Sequence, residues 1–162
     1  MEKKTQGRIL QLVISLIVCQ LAGFIGSVFT TPAIPTWYVT LNKPSLTPPN
    51  WLFSPVWTFL FVLMGISAFL VWSNGFGDKR VRIALSIFAV QLILNILWSA
   101  VFFGFRSPLA GLIEIAILWI AILLTILNFF KVSKTAGLLL LPYILWVSFA
   151  IVLNFFIWRL NF

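Results

Sequence analysis

The sequence predicts an all-α membrane protein: a bundle of five transmembrane helices, with the proline-rich loop between helices 1 and 2 folded over it as a lid. Three observations carry that expectation. Hydrophobic residues make up 62% of the 162-residue chain and charged residues 9%, against about 25% charged in a soluble domain. Apolar runs at about 8–29, 51–72, 81–103, 108–130 and 136–158 each reach the length of about 20 residues that a bilayer-crossing helix needs. Six of the eight prolines fall between positions 32 and 55, five of them within one connection, 30–50, which they stiffen. One domain is expected over 1–162.

The first run carries Lys3, Lys4 and Arg8 on its flank, as a signal peptide would. Its apolar stretch exceeds the roughly 7–15 residues of a signal core, so it reads as a retained helix. Ala22 and Gly26 within it form a small-xxx-small pair that permits close helix approach, inside the bundle or across a dimer. The lid holds Trp37 and Tyr38, and the second run opens with Trp51 and Trp57. Such rings need a surface to pack on, which argues against disorder. The remaining links, 73–80, 104–107 and 131–135, are short, so helices 2 to 5 are antiparallel neighbours. Pro108 suits the first turn of helix 4 with Ser107 as its N-cap. Pro142 lies inside helix 5 and is expected to kink it.

Charge placement orients the bundle. Lys3, Lys4, Arg8, Lys79, Arg80, Arg82, Lys131 and Lys134 fall on one side, and Lys43, Arg106 and Arg159 on the other. The positive-inside rule then puts the N-terminus in the cytoplasm of a bacterial cell, in its inner membrane, and the lid outside. The net charge of +8 is scattered between apolar runs and forms no basic face, which excludes a nucleic-acid partner.

Several chemistries fall away. The chain has no histidine and one cysteine, Cys19, inside an apolar run; its acids are Glu2, Asp78 and Glu114. No metal site or paired-carboxylate hydrolase can be assembled from these, and no nucleophile–base pair is visible. What remains is a pattern of depth. At about 1.5 Å per residue, Trp57, Asn95, Glu114, Trp146, Ala150 and Asn154 all lie about 6–18 Å from the lid end of their helices. Gln91, Asn95 and Ser99 recur at i, i+4 and i+8, as one polar stripe. Such a stripe faces the bundle interior, because an amide turned to hydrocarbon has no partner. Trp57, Phe61, Met64 and Ala68 form a stripe on helix 2, and Tyr143, Trp146, Ala150 and Asn154 one on helix 5. Trp51, Trp72 and Trp158 near run ends read as interface anchors. Glu114 is expected to meet Arg106 or the Asn95 region. A dry hollow of rings and amides suits a large, flat, apolar ligand with polar edges. A metal-free tetrapyrrole fits that description, a sterol less well, and Lys43 and Arg106 could meet carboxylates at its rim.

The stretch WYVTLNKPSLTPPNWLFSPVW at 37–57, QLILNILWSAVFF at 91–103 and LPYILWVSFAIVLN at 141–154 resembles the TspO/MBR family, the tryptophan-rich sensory proteins, translocator proteins and peripheral-type benzodiazepine receptors. The resemblance implies a five-helix receptor, commonly a homodimer, that binds porphyrins such as protoporphyrin IX and benzodiazepine-type ligands beneath its first loop. No cofactor is required. It implies ligand-binding positions at Tyr38, Pro44, Trp57, Asn95, Trp146 and Ala150. Some bacterial members are reported to degrade protoporphyrin in light; on that alternative Trp57 and Trp146 become the catalytic, redox-active side chains. The sterol-recognition segment of animal members requires a tyrosine before its terminal basic residue; in 153–159 phenylalanine stands at that place, so this segment is incomplete and sterol transport is not expected.

Overall fold

The computed structural model describes residues 2–162. It is all helical among the described residues, and five of its segments are long and apolar enough to cross a membrane. Helix α1 runs Glu2–Ala33, α2 Asn50–Trp72, α3 Lys79–Ser99 and α4 Pro108–Phe130; the fifth span is α5, Lys134–Leu139, followed by α6, Leu141–Asn161.

The starts and stops have local causes. Asp78 caps α3 by accepting from the Arg80 amide at 2.8 Å, and the Arg80 guanidinium beside it holds the carboxyl below its ordinary range. Ser107 caps α4 through the Ala110 amide, with Pro108 in the first turn as expected. Ser133 caps α5 in the same way. Two expectations need correction. The lid begins four residues later than the sequence indicates, because α1 continues through Pro32 to Ala33. Proline removes one N–H, yet the ladder resumes beyond it, from the Ile34 amide to the Thr30 carbonyl at 3.1 Å. Pro142, expected inside a kinked helix, instead sits in the first turn of α6, and the break falls at Leu140. Having no N–H to give Leu138, Pro142 starts a helix more easily than it continues one.

Around the bundle the spans follow the order α1, α2, α5–α6, α4, α3 and back to α1. Met64, Ile115, Leu118, Ile122, Phe129 and Val147 fill its centre, each at most 1% exposed. Ile93, Ile113 and Leu145 point outward and are more than half exposed, the inversion expected where the solvent is hydrocarbon. Hydrophobic burial does not drive such helices together, so close packing and interhelical hydrogen bonds must. Ser67 donates to the Ala136 carbonyl at 2.7 Å, joining α2 to α5. Trp119 Nε1 donates to Ser148 Oγ at 2.8 Å, joining α4 to α6.

The small-xxx-small pair acts within the bundle: a Cβ on Gly26 would lie 3.2 Å from Ser99 Oγ of α3. At the lid end α3 widens into a π-helical turn, Ala100–Gly104. Arg106 follows it with φ 54°, a left-handed conformation that turns the chain into α4.

Candidate functional site

The lid is ordered by its own sequence. A 3₁₀ turn, Tyr38–Thr40, buries the Tyr38 ring to 4% exposure. That ring rests edge-on against Phe102, centroids 6.4 Å apart, and tilted against Phe103 at 5.7 Å. Burial pushes its phenol up to about 12, so it stays neutral. Lys43 reaches back under the lid and donates to the Tyr38 and Leu41 carbonyls at 2.8 and 3.0 Å, with its ammonium 4.8 Å from the Tyr38 ring centroid. The cation assigned to a ligand rim from the sequence therefore holds the lid itself. A second clamp was not legible there. The Asn42 amide donates to Asn161 Oδ1, and Asn161 Nδ2 donates to the Asn42 carbonyl, both at 2.9 Å. Through that reciprocal pair the lid is fastened to the end of α6.

Beneath it lies a cavity of about 350 Å³ between α1, α2 and α3, within the size range of small-molecule sites. Its walls are Tyr38 from the lid, Phe53, Trp57 and Phe61 from α2, Asn95, Trp98 and Ser99 from α3, Phe103 from the π turn, and a run of small and polar residues from α1. Glycine makes this room. A Cβ on Gly23 would stand 2.6 Å from the Phe61 ring, a collision the ring would have to yield to.

Three of the six expected ligand positions, Tyr38, Trp57 and Asn95, meet in this cavity. The other three do not line it. Trp146 stands one layer back, edge-on to the wall residue Phe53 at 6.2 Å. Ala150 packs half-buried against the main core. Pro44 accepts both the Thr47 amide and its hydroxyl in a lid turn. Trp98 was overlooked although it follows Asn95 by three residues and so shares its face; its ring stacks on Phe102 at 5.4 Å, planes 19° apart. Of the α1 wall, the sequence marks only Ala22 and Gly26, and those as a packing pair.

The polar stripe does face inward. Asn95 Nδ2 donates to Tyr143 Oη at 2.8 Å, and that hydroxyl donates to Gln91 Oε1 at 3.0 Å. Asn95 Oδ1 takes no hydrogen bond from the described residues, which leaves an acceptor on the cavity wall. Asn154, expected in the same group, bridges elsewhere: it donates to the Pro108 carbonyl at 2.7 Å and accepts from Trp98 Nε1 at 3.4 Å. Glu114 meets neither Arg106 nor Asn95. It is 7% exposed and both carboxyl oxygens lack a partner among the described residues.

Five spans, three of them around a ring-lined, roofed cavity, define a polytopic helical membrane protein with an internal pocket. The model of the TspO/MBR family matches residues 15–159, and the chain belongs to that family. It is 51% identical over 154 residues to the tryptophan-rich protein TspO of Chlorobaculum tepidum, covering 95% of this chain and 98% of that protein. The Archaeoglobus fulgidus protein of the same name is also 51% identical over 154 residues, covering 94% of this chain and 98% of that one. The human translocator protein is 38% identical over 143 residues, covering 87% of this chain and 84% of its own.

Proposed function

We propose that the chain is a membrane receptor that holds a flat amphiphile of the tetrapyrrole class, such as protoporphyrin IX, in the cavity beneath its lid, for porphyrin sensing or transport. One observation carries the reading: aromatic rings from the lid, α2, α3 and the π turn surround a single space, with the buried Asn95 amide among the polar groups on its wall. Rings on several sides offer stacking to a planar ligand, and the amide fixes its edge. Benzodiazepine-type ligands share that shape. The excess of Lys and Arg on one side supports a bacterial inner membrane with a cytoplasmic N-terminus, and the family resemblance supports a homodimer.

Protoporphyrin IX added to the protein in lipid nanodiscs is expected to quench tryptophan fluorescence saturably. Asn95→Ala is expected to weaken it about fivefold, the equivalent of one hydrogen bond of about 1 kcal/mol. Quenching that rises linearly without saturation, as in empty nanodiscs, would reject the site.

A second reading is supported by the position of Trp57. It lines the cavity, where an indole can give an electron to a light-excited porphyrin, which passes it to oxygen as superoxide. The indole radical then recovers its electron from the porphyrin, and the porphyrin radical so formed combines with superoxide and opens at a methine bridge. Trp146, one ring behind Phe53, could share the hole in the interval. Illumination separates the readings: porphyrin absorbance lost no faster with protein than in nanodiscs alone leaves binding and removes catalysis.

A further inference from the structure

The cavity walls are not equally covered. Every wall residue from the lid, α3 and the π turn is buried or half-buried, whereas Phe24, Ser27 and Thr31 of α1 and Asn50, Ser54 and Thr58 of α2 are exposed. The open flank is therefore the seam between α1 and α2. The roof is shut by two contacts with the bundle, Tyr38 on Phe102 and Phe103 and the Asn42–Asn161 pair, while Lys43 on two lid carbonyls stiffens the roof itself. Below, the seam is closed where Gln20 Nε2 donates to the Thr58 carbonyl at 3.2 Å, with Ala22 and Phe61 buried on the floor.

The two lips share an unusual composition for a surface that faces acyl chains. Ser27 and Thr31 are spaced i, i+4 on α1, and Asn50, Ser54 and Thr58 recur at the same interval on α2. On the rest of α1, Ile9, Leu10, Val13, Ile17, Leu21 and Ile25 are exposed and apolar. Two of these hydroxyls tolerate hydrocarbon because their hydrogens are held locally: Ser27 donates to the Phe24 carbonyl at 2.7 Å and Thr58 to the Ser54 carbonyl at 2.9 Å. Their lone pairs remain free to accept.

We propose that this seam is a lateral portal, through which a planar amphiphile dissolved in the bilayer enters the cavity edge-first while the lid stays closed. The inference rests on the reading of the cavity as a ligand site and narrows its ligand to molecules that partition into lipid. The apolar face of such a molecule slides along Phe24, and its polar edge passes the two lines of hydroxyls without losing all its partners. A ligand taken from water would instead need the roof to open against its two fastenings to the bundle.

A probe that is not a porphyrin keeps this test separate from that of the site. Ser99→Cys places a thiol on the α3 wall of the cavity, and the parent chain with its buried Cys19 supplies the blank. In nanodiscs, a lipid-soluble pyrenylmaleimide is expected to label Ser99→Cys at least tenfold faster than a charged, water-soluble maleimide. Adding Ser27→Phe and Ser54→Phe is expected to slow that labelling about tenfold. If the plugged protein does not fold, the comparison of the two reagents decides alone. Faster labelling by the aqueous reagent overturns the portal. So does a disulfide between copies formed by Ser27→Cys, which would mean that a second chain covers the seam.

Discussion

Gly65→Leu lowers the stability of the protein by about 3 kcal/mol or more, and in detergent it lowers the melting temperature steeply. A Cβ at Gly65 would stand 3.0 Å from the Leu16 Cα and 3.2 Å from the Ser15 carbonyl oxygen. Both are backbone atoms of α1, so no side-chain rotation makes room. The two helices must separate, which forfeits their van der Waals contact along the seam. Overpacking a tight interface costs roughly 1–3 kcal/mol for a few extra carbons, and leucine adds more than that against an immobile wall. Gly77→Ala is the control, since nothing lies within 4 Å of a Cβ there. Equal melting curves for the two variants would show that α1 and α2 are not held by this approach.

Tyr143→Phe produces the second large effect. Its hydroxyl accepts from Asn95 and donates to Gln91, and all three residues are at most 5% exposed. One missing oxygen therefore strands two amides in a space that water does not reach. Each interhelical hydrogen bond in a membrane contributes about 0.6–2 kcal/mol, so a loss of about 2 kcal/mol is expected. Because Asn95 is then free to turn, a ligand held by its amide, as proposed for protoporphyrin, is expected to bind more weakly as stability falls. A double-mutant cycle exposes the coupling: with Gln91→Leu already present, Tyr143→Phe costs visibly less than in the parent. Strict additivity would mean that the hydroxyl works alone.

The spans were legible because membrane insertion is written in composition and run length, and both survive any detail of packing. The caps at Ser107 and the inward turn of Gln91 and Asn95 were legible for similar reasons: each follows from one residue's need for a hydrogen-bond partner. The site was only half legible. Depth along a helix gives the height of a side chain, but the direction it faces depends on the order of helices around the bundle. Trp146 has the right height and lies behind Phe53, whereas Trp98, which lines the cavity, is not among the expected positions.

The α1 wall was hidden by a different cause. Gly23, Gly26 and Ser27 contribute space rather than side chain, and empty space leaves no hydropathic signal. The lid clamps were hidden as well. Lys43 on its carbonyls and Asn161 on Asn42 are contacts to backbone, which any residue supplies.

The central claim is that rings from the lid, α2, α3 and the π turn enclose one ligand under the roof, and a pair of tryptophans tests it most directly. Trp57 lines the cavity, whereas Trp119 lies on α4, bonded to Ser148. Titrated with protoporphyrin IX in nanodiscs, Trp57→Ala is expected to bind about tenfold more weakly than the parent, near the 1–1.5 kcal/mol of one lost ring contact. Trp119→Phe is expected to bind like the parent. Equal affinity in both variants, or a loss confined to Trp119→Phe, would place the ligand elsewhere and contradict the account.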